Sequence, residues 1–136
     1  MDSGYREVPH TADVALEVWA PDLAGLFAQA ARGLFSLAAN VPSQAPISAS
    51  REVQLSAPDW EALLVDWLNE LLSLADEHAE VYVDFEVALP ALGELVAHAR
   101  ATTAYTPKIA FKAATYHNLA IRHDERGYRT VVVFDV

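Results

Sequence analysis

The chain has 136 residues, of which 53% are hydrophobic and 21% charged, so its composition is that of a globular protein. Acidic residues outnumber basic ones by 19 to 9, and a net charge of −10 disfavours strong direct binding to nucleic acid. The absence of cysteine excludes a disulfide framework and a thiolate metal site, and it is compatible with a cytoplasmic location. No apolar run approaches the roughly 18 residues of a membrane-spanning helix, and the polar N-terminal residues predict no secretion signal.

The first part of the chain predicts both strands and a helix. Residues 14–19 alternate between two faces, which is typical of a strand, whereas the apolar residues of 23–38 recur at helical spacing. Asp22 suits the N-terminal end of that helix, and Asn40 and Pro42 are stop signals. The predicted elements are strands at residues 5–8, 14–19 and 51–56, a helix that opens at residues 20–22, and a Ser-rich loop at residues 43–50.

The most regular stretch of the chain is a predicted helix at residues 58–78. Its apolar side chains form one unbroken stripe at helical spacing, which consists of Trp60, Leu63, Leu64, Trp67, Leu68, Leu71, Leu72 and Ala75. Ser56 and Asp59 have the spacing of a capping box, with Pro58 in the first turn. A helix of about 20 residues spans roughly 30 Å, so we expect this stripe to form the centre of the core and not a functional site.

The rest of the chain predicts strands joined by turns. These strands cover residues 80–89, 94–105, 108–116, 119–123 and 128–136. In the first of them, alternation places Val81 and Phe85 on one face and Tyr82 on the other. The order of elements predicts an α+β fold, with two helices packed on one face of a mostly antiparallel sheet. We expect a single domain over residues 1–136.

Two acidic positions near opposite ends of the sequence are candidate ligands for a hard cation. Asp13 lies in the loop of residues 10–13, where Thr11 could brace it; alternatively, both side chains make only turn hydrogen bonds. Asp135 is next to the main-chain carboxyl group of Val136. Two such negative groups repel each other unless a cation bridges them or solvent surrounds them. The residue spacing leaves both alternatives open.

A third candidate cluster consists of Lys112, Thr115, Tyr116 and His117. His117 could act as an acid–base group or a ligand, or it could be a hydrogen-bonded structural residue. We expect surface positions for His78, His98 and His123. The sequence has no Gly-rich phosphate loop and no Gly-x-Ser-x-Gly motif, and without cysteine the zinc-deaminase signature is incomplete.

Five segments of the sequence, taken in order, resemble the archease family and span nearly the whole chain. They are His10-Thr11-Ala12-Asp13 and residues 23–31, 63–72, 112–117 and 131–136. The sequence departs from the family pattern at Asn118, where we expect Gly, and at Ala114, where we expect a β-branched residue. Asn tolerates a left-handed turn, so the first departure is conservative.

The resemblance implies that the protein is not an enzyme but a protein cofactor of an RNA-splicing ligase in tRNA processing. That ligase joins 3′-phosphate or cyclic-phosphate ends to 5′-hydroxyl ends. The activator promotes guanylylation of the ligase's active-site histidine and multiple turnover, and GTP and RNA are bound by the ligase only. The resemblance further implies a divalent metal site, for calcium, magnesium or manganese, formed by Asp13, Asp135 and Val136.

Four further residues, His10, Thr11, Lys112 and His117, are candidates for supporting this site. Two other functions stay open from the sequence. One is a small metal-dependent phosphohydrolase that uses Asp13, Asp135 and the two histidines. The other is a chaperone or specificity modulator of an RNA-modifying enzyme.

Overall fold

The computed structural model describes residues 2–10 and 13–136. The helices are α1 (Leu23–Ala38) and α2 (Trp60–His78). The strands are β1 (Gly4–Val8), β2 (Val14–Ala20), β3 (Ala39–Asn40), β4 (Ala49–Ser56), β5 (Val81–Ala88), β6 (Glu94–Thr102), β7 (Thr106–Pro107), β8 (Ala113–Ala114), β9 (Arg122–Asp124) and β10 (Gly127–Asp135). The predicted α+β class is therefore confirmed. In the part of the chain that is described, neither helix is long and apolar enough to cross a membrane.

The strands pair antiparallel and form three hydrogen-bonded groups. The largest is a five-stranded sheet with the order β1-β2-β10-β8, in which β9 also pairs with β10. Strands β4, β6 and β5 form a three-stranded sheet in that order, and β3 pairs with β7. Helix α1 packs against β2 of the first sheet and β5 of the second. Both sheets therefore share one hydrophobic core with the helices.

Helix α1 begins where the sequence predicts. Asp22 has an extended backbone, and its carboxylate accepts a hydrogen bond of 2.6 Å from the Gly25 backbone N–H. This bond gives a partner to one of the N–H groups that the first turn of a helix leaves free. The helix ends at Ala38, and the chain continues directly into β3. Its buried face includes Leu26, Phe27, Ala30, Ala31 and Leu34.

Helix α2 is the central helix that the apolar stripe predicts, but its cap differs from the prediction. Asp59 is the N-cap, and its carboxylate accepts a hydrogen bond of 2.7 Å from the Ala62 backbone N–H. Ser56 belongs to strand β4 and Pro58 precedes the cap, so the predicted capping box is wrong. Asp59 lies directly before the helix and satisfies its first turn without a serine.

Trp67 lies in the middle of the core. Its side chain is fully buried, and its indole N–H donates a hydrogen bond of 3.0 Å to the backbone carbonyl of Phe27 in α1. Its ring meets the Phe85 ring edge-on, with 6.1 Å between the ring centroids. Trp67 therefore connects both helices to β5.

A bulge in β5 reverses the predicted orientation of Tyr82. The pairing of β5 with β6 shifts register between Tyr82 and Asp84, so the alternation on which the prediction rested is interrupted. Tyr82 is only 1% exposed, and its hydroxyl donates a hydrogen bond of 2.7 Å to Glu80. The buried Glu80 carboxylate also accepts two hydrogen bonds from the Arg51 guanidinium, of 2.8 and 2.9 Å. The bulge thus turns Tyr82 inwards to complete a buried polar cluster.

Glu80→Gln is expected to destabilise the protein at pH 7 but much less in acid. The paired Arg51 guanidinium holds the pKa of Glu80 below its usual value of 4.5. The native protein therefore binds this proton more weakly than the unfolded chain, so the stabilisation is complete above about pH 4.5 and is lost as the pH falls through the lowered pKa. Loss of the charged hydrogen bonds should cost about 1–3 kcal/mol at pH 7.

Urea denaturation of both proteins at pH 7 and at decreasing pH below 4.5 measures this effect, with the exposed Glu125→Gln as the control. A difference in unfolding free energy between wild type and Glu80→Gln that does not change with pH would contradict the argument.

Three predicted strands are shorter in the structure. They run over Glu94–Thr102, Ala113–Ala114 and Arg122–Asp124, where the sequence predicts residues 94–105, 108–116 and 119–123. The chain here crosses from one group of strands to another. The backbone N–H of Lys108 bonds to the Ala38 carbonyl, whereas that of Thr115 bonds to the Val133 carbonyl. No single neighbouring strand accompanies this segment, so an extended sequence forms only short ladders.

Candidate functional site

Two aspartates extend the same pair of neighbouring strands at the same end. Strands β2 and β10 pair antiparallel, and the last pair of their register is Val14 with Phe134. Asp13 directly precedes Val14, and Asp135 directly follows Phe134 as the last residue of β10. Each aspartate is thus one residue beyond the same end of this register. The fold therefore brings two acidic residues from distant parts of the sequence to one end of the five-stranded sheet.

His10 lies beside Asp13 at this end of the sheet. The His10 Nδ1 atom is 3.7 Å from a carboxylate oxygen of Asp13, and both side chains are about one-third exposed. This separation is too long for a good hydrogen bond but within the distance of an ion pair. Thr11, which the sequence predicts as a brace for Asp13, lies outside the described residues.

The segment that contains β8 lies against the end of β10. The Lys112 backbone N–H donates a hydrogen bond of 2.9 Å to the Asp135 carbonyl, and Ala113 pairs with Asp135. Two residue pairs further along, both the backbone N–H and the hydroxyl of Thr115 donate to the Val133 carbonyl, each at 2.9 Å. These bonds place Lys112 next to Asp135 along the sheet.

His117 borders the site next to His10. Its backbone N–H donates to the Thr115 hydroxyl at 3.3 Å, and its ring lies edge-on to the His10 ring with 5.9 Å between centroids. Asn118 follows with φ = 52°, the left-handed conformation that Gly or Asn adopts most readily. Tyr116 is 58% exposed. Of the third cluster that the sequence predicts, the structure thus brings Lys112 and His117 towards the two aspartates, while Tyr116 points to solvent.

The exposed groups at this end offer oxygen ligands. Asp135 is exposed, Asp13 is partly exposed and the Val136 side chain is 45% exposed. Among residues 2–10 and 13–136, no three His, Cys, Asp or Glu side chains lie close enough together to hold a metal ion. The two aspartates would therefore need further donors, and the main-chain oxygen atoms of Val136 are of the right type. An all-oxygen set fits Ca²⁺, Mg²⁺ or Mn²⁺.

The remaining histidines lie at the surface, as the sequence predicts. His78 and His98 each lie near one glutamate, Glu77 and Glu52 respectively, at 3.2 and 3.3 Å. The His123 ring stacks on Tyr128 with 4.1 Å between centroids. These contacts involve helix α2 and strands β4, β6, β9 and β10, and none of them includes a residue of the site at Asp13 and Asp135.

The model of the archease protein family (MTH1598/TM1083) matches residues 5–136. The chain belongs to the archease family. Protein archease from Archaeoglobus fulgidus is 33% identical to it, and the match covers 97% of this chain and 98% of that protein. The probable protein archease of Mycobacterium tuberculosis H37Rv is 32% identical, over 98% of this chain and 75% of its own length. The family membership that the five sequence segments indicate is therefore confirmed.

Solved structures show the same fold in other archease-like chains. The solution structure of protein 1598 from Methanobacterium thermoautotrophicum superposes with a TM-score of 0.77 at 25% identity, over 98% of this chain and 99% of that one. The crystal structure of an archease from Thermotoga maritima, described as a possible chaperone, has a TM-score of 0.69 at 22% identity and 96% coverage of both chains. The latter similarity concerns the fold alone.

One polar contact near the site of this archease-family protein does not follow from the sequence pattern. Asn69 lies off the apolar stripe of α2, yet its side-chain amide makes two hydrogen bonds to Ala114 in β8. The signal for it is an amide side chain directly after Leu68, on a helix with a buried apolar face. A polar group in such a position usually has a hydrogen-bond partner.

Proposed function

We propose that this archease-family protein is the activator of an RNA-splicing ligase and holds a divalent cation where Asp13 and Asp135 meet. The observation that carries the proposal is the register of β2 and β10, whose last pair, Val14 with Phe134, is directly adjacent in the chain to the two aspartates. Val136 adds main-chain oxygen atoms directly after Asp135. A bound Ca²⁺, Mg²⁺ or Mn²⁺ would supply positive charge and open coordination positions at an exposed end of the protein.

The role of the protein's own residues is to hold and present this cation. The two carboxylates and the main-chain oxygens of Val136 would be its ligands. Lys112 is bonded through its backbone to Asp135, His10 borders Asp13, and His117 lies against the His10 ring. These residues frame the surface that a partner would meet. With this presentation, the protein would promote guanylylation of the ligase's active-site histidine and repeated turnover.

The charge of the protein suits a ligase partner. A ligase that handles RNA needs a basic surface, and a chain with net charge −10 is attracted to such a surface over long distances. GTP and RNA would be bound by the ligase and reach this protein only through it. Because the reaction consumes GTP and acts on tRNA, the proposed role places the protein in the cytoplasm.

A ligation time course with the ligase in limiting amount tests the proposal. Wild-type protein is expected to increase the number of turnovers and the fraction of guanylylated ligase when GTP and a divalent metal are present. In parallel, Mn²⁺ added to the isotope-labelled protein should broaden the amide signals around Asp13 and Asp135 before any others. Equal ligation with and without the protein would overturn the activator role, and broadening at another surface would overturn the cation site.

The same experiments separate two further functions. Turnover of a simple phosphoester by the isolated protein, abolished by Asp135→Asn, would favour a metal-dependent phosphohydrolase. The description of the Thermotoga maritima relative as a possible chaperone suggests a second role, as a chaperone or specificity modulator of an RNA-modifying enzyme. That role would show as prevented aggregation of the partner enzyme without any change in its guanylylation.

A further inference from the structure

The segment that borders the candidate cation site is supported by very little regular structure. Strand β8 is only two residues long and lies at the edge of the five-stranded sheet. Two residues cannot form a stable ladder by themselves. Nevertheless Ala114 is 96% buried, since only 4% of its surface is exposed. Its backbone N–H and C=O need partners in this position, because a buried unpaired peptide group is strongly unfavourable.

Asn69 of helix α2 supplies both partners. The Ala114 N–H donates a hydrogen bond of 2.7 Å to the Asn69 side-chain oxygen, and the Asn69 side-chain NH₂ donates one of 3.2 Å to the Ala114 carbonyl. The carboxamide therefore bonds to β8 as the peptide group of a further strand would. On its other side, the same segment is bonded to β10 through Lys112 and Thr115. Ala114 is thus held between a helix side chain and the strand that ends at Asp135.

A second side chain of α2 bonds to the same stretch of chain. The Glu61 carboxylate accepts a hydrogen bond of 3.0 Å from the backbone N–H of Ile121. Glu61 and Asn69 therefore fix the two ends of the segment that carries His117. Asn69, Phe111 and Lys112 also line an open surface cleft of about 380 Å³ between α2 and this segment.

We infer that Asn69 is a positioning residue that fixes residues 112–117 against the end of β10 and thereby orders the candidate cation site. The inference rests on the proposed function for the identity of the site. Helix α2 is anchored in the core by Trp67 and its neighbours, so Asn69 links β8 to the buried core. Without this link, residues 112–115 would be held by their hydrogen bonds to β10.

Hydrogen exchange of individual amides in Asn69→Ala tests the positioning directly. Loss of a merely local bond would accelerate exchange at Ala114 alone. Positioning requires that the amides of Lys112 and Thr115, which bond to β10 and not to Asn69, also exchange roughly tenfold faster, the change expected when one or two supporting hydrogen bonds are lost. Unchanged exchange at Lys112 and Thr115 would overturn the inference.

Two variants serve as controls. Asn69→Asp keeps the acceptor for the Ala114 N–H but places an oxygen against the Ala114 carbonyl, so it should give an intermediate acceleration. Leu55→Ala removes apolar packing from β4, in the three-stranded sheet, and should lower the melting temperature without accelerating exchange at Lys112 or Thr115. All variants are compared at a temperature where each is folded.

Mn²⁺ titration of the same proteins tests whether the positioning of residues 112–117 by Asn69 affects cation binding. Asn69→Ala is expected to bind Mn²⁺ several-fold more weakly than wild type and to activate the ligase less at saturating concentration, whereas Leu55→Ala should match wild type in both. Wild-type Mn²⁺ affinity in a folded Asn69→Ala would show that the segment does not order the site. A wild-type protein that neither binds Mn²⁺ at the aspartates nor activates the ligase would overturn the proposed function, and the exchange rates would still decide the role of Asn69.

Discussion

Asp13→Ala is expected to abolish ligase activation while the protein stays folded. Asp13 lies outside both helices and directly before β2, and it is partly exposed, so its truncation opens no cavity in the core. Without the Asp13 carboxylate, two of the three proposed ligands remain, Asp135 and Val136. A divalent cation with so few oxygen ligands should be bound much more weakly. Asp135→Asn should have the same effect, because it retains the shape of the side chain but not its charge.

The measurement is multiple-turnover ligation with the ligase limiting, together with circular dichroism of each variant. Asp66→Asn is a matched control, since it removes one exposed carboxylate from helix α2 without approaching the candidate site. Ser73→Ala, also exposed on α2, controls for substitution on the face of that helix that borders Lys112. Both should activate as wild type does. If folded Asp13→Ala protein activated the ligase at the wild-type rate, Asp13 would be only a turn residue.

Trp67→Ala is expected to cost about 3–5 kcal/mol of unfolding free energy, the range for truncation of a fully buried aromatic residue. The substitution removes the ring from between α1, α2 and β5, together with the hydrogen bond to the Phe27 carbonyl. The Phe27 carbonyl would keep its hydrogen bond within α1 but would border the cavity that the ring leaves. Because most domains of this size are stable by only about 5–15 kcal/mol, a large part of the total stability should be lost.

Urea denaturation followed by far-ultraviolet circular dichroism measures this loss. Trp67→Phe separates the two contributions, because it retains most of the ring volume but removes the indole N–H that bonds to the Phe27 carbonyl. It should cost less than Trp67→Ala but more than the roughly 1 kcal/mol of an average hydrogen bond. An unfolding midpoint of Trp67→Ala equal to that of wild type would show that the tryptophan is not part of the core.

Local signals in the sequence predicted the helices well. The apolar stripe of α2 and the acidic residue Asp22 at the start of α1 depend on residues a few positions apart, and the structure contains both. The predicted capping box of α2 was wrong, because Asp59 itself takes the N-cap position. Strand pairing depends instead on residues far apart in the chain. The alternation of β5 did not reveal the bulge that buries Tyr82, because a bulge is decided by the neighbouring strand β6. For the same reason, residues 108–121 looked more regular in the sequence than they are.

The sequence predicted the individual residues of the candidate site but not their arrangement. Both aspartates could be recognised as hard ligands from their surroundings in the sequence, but residue spacing could not join them. Only the register of β2 with β10 places them at one end of the sheet. The role of Asn69 was hidden for a similar reason, since its partner Ala114 is 45 residues away and is a residue without a polar side chain. Family resemblance supplied the connection between the aspartates that local chemistry could not.

The pairing of β2 with β10 also bears on how the protein acquires its structure. Val14 is in β2, near the start of the chain, and Phe134 is in β10, the last strand. Nearly the whole chain lies between these two paired residues. Contacts of such large sequence separation form slowly, because the loop between them must be closed first. Both helices and the β5–β6 hairpin can form from local contacts before that step. A partly folded chain can therefore have most of its secondary structure while Asp13 and Asp135 are still apart, so cation binding at this end of the sheet reports the completed fold.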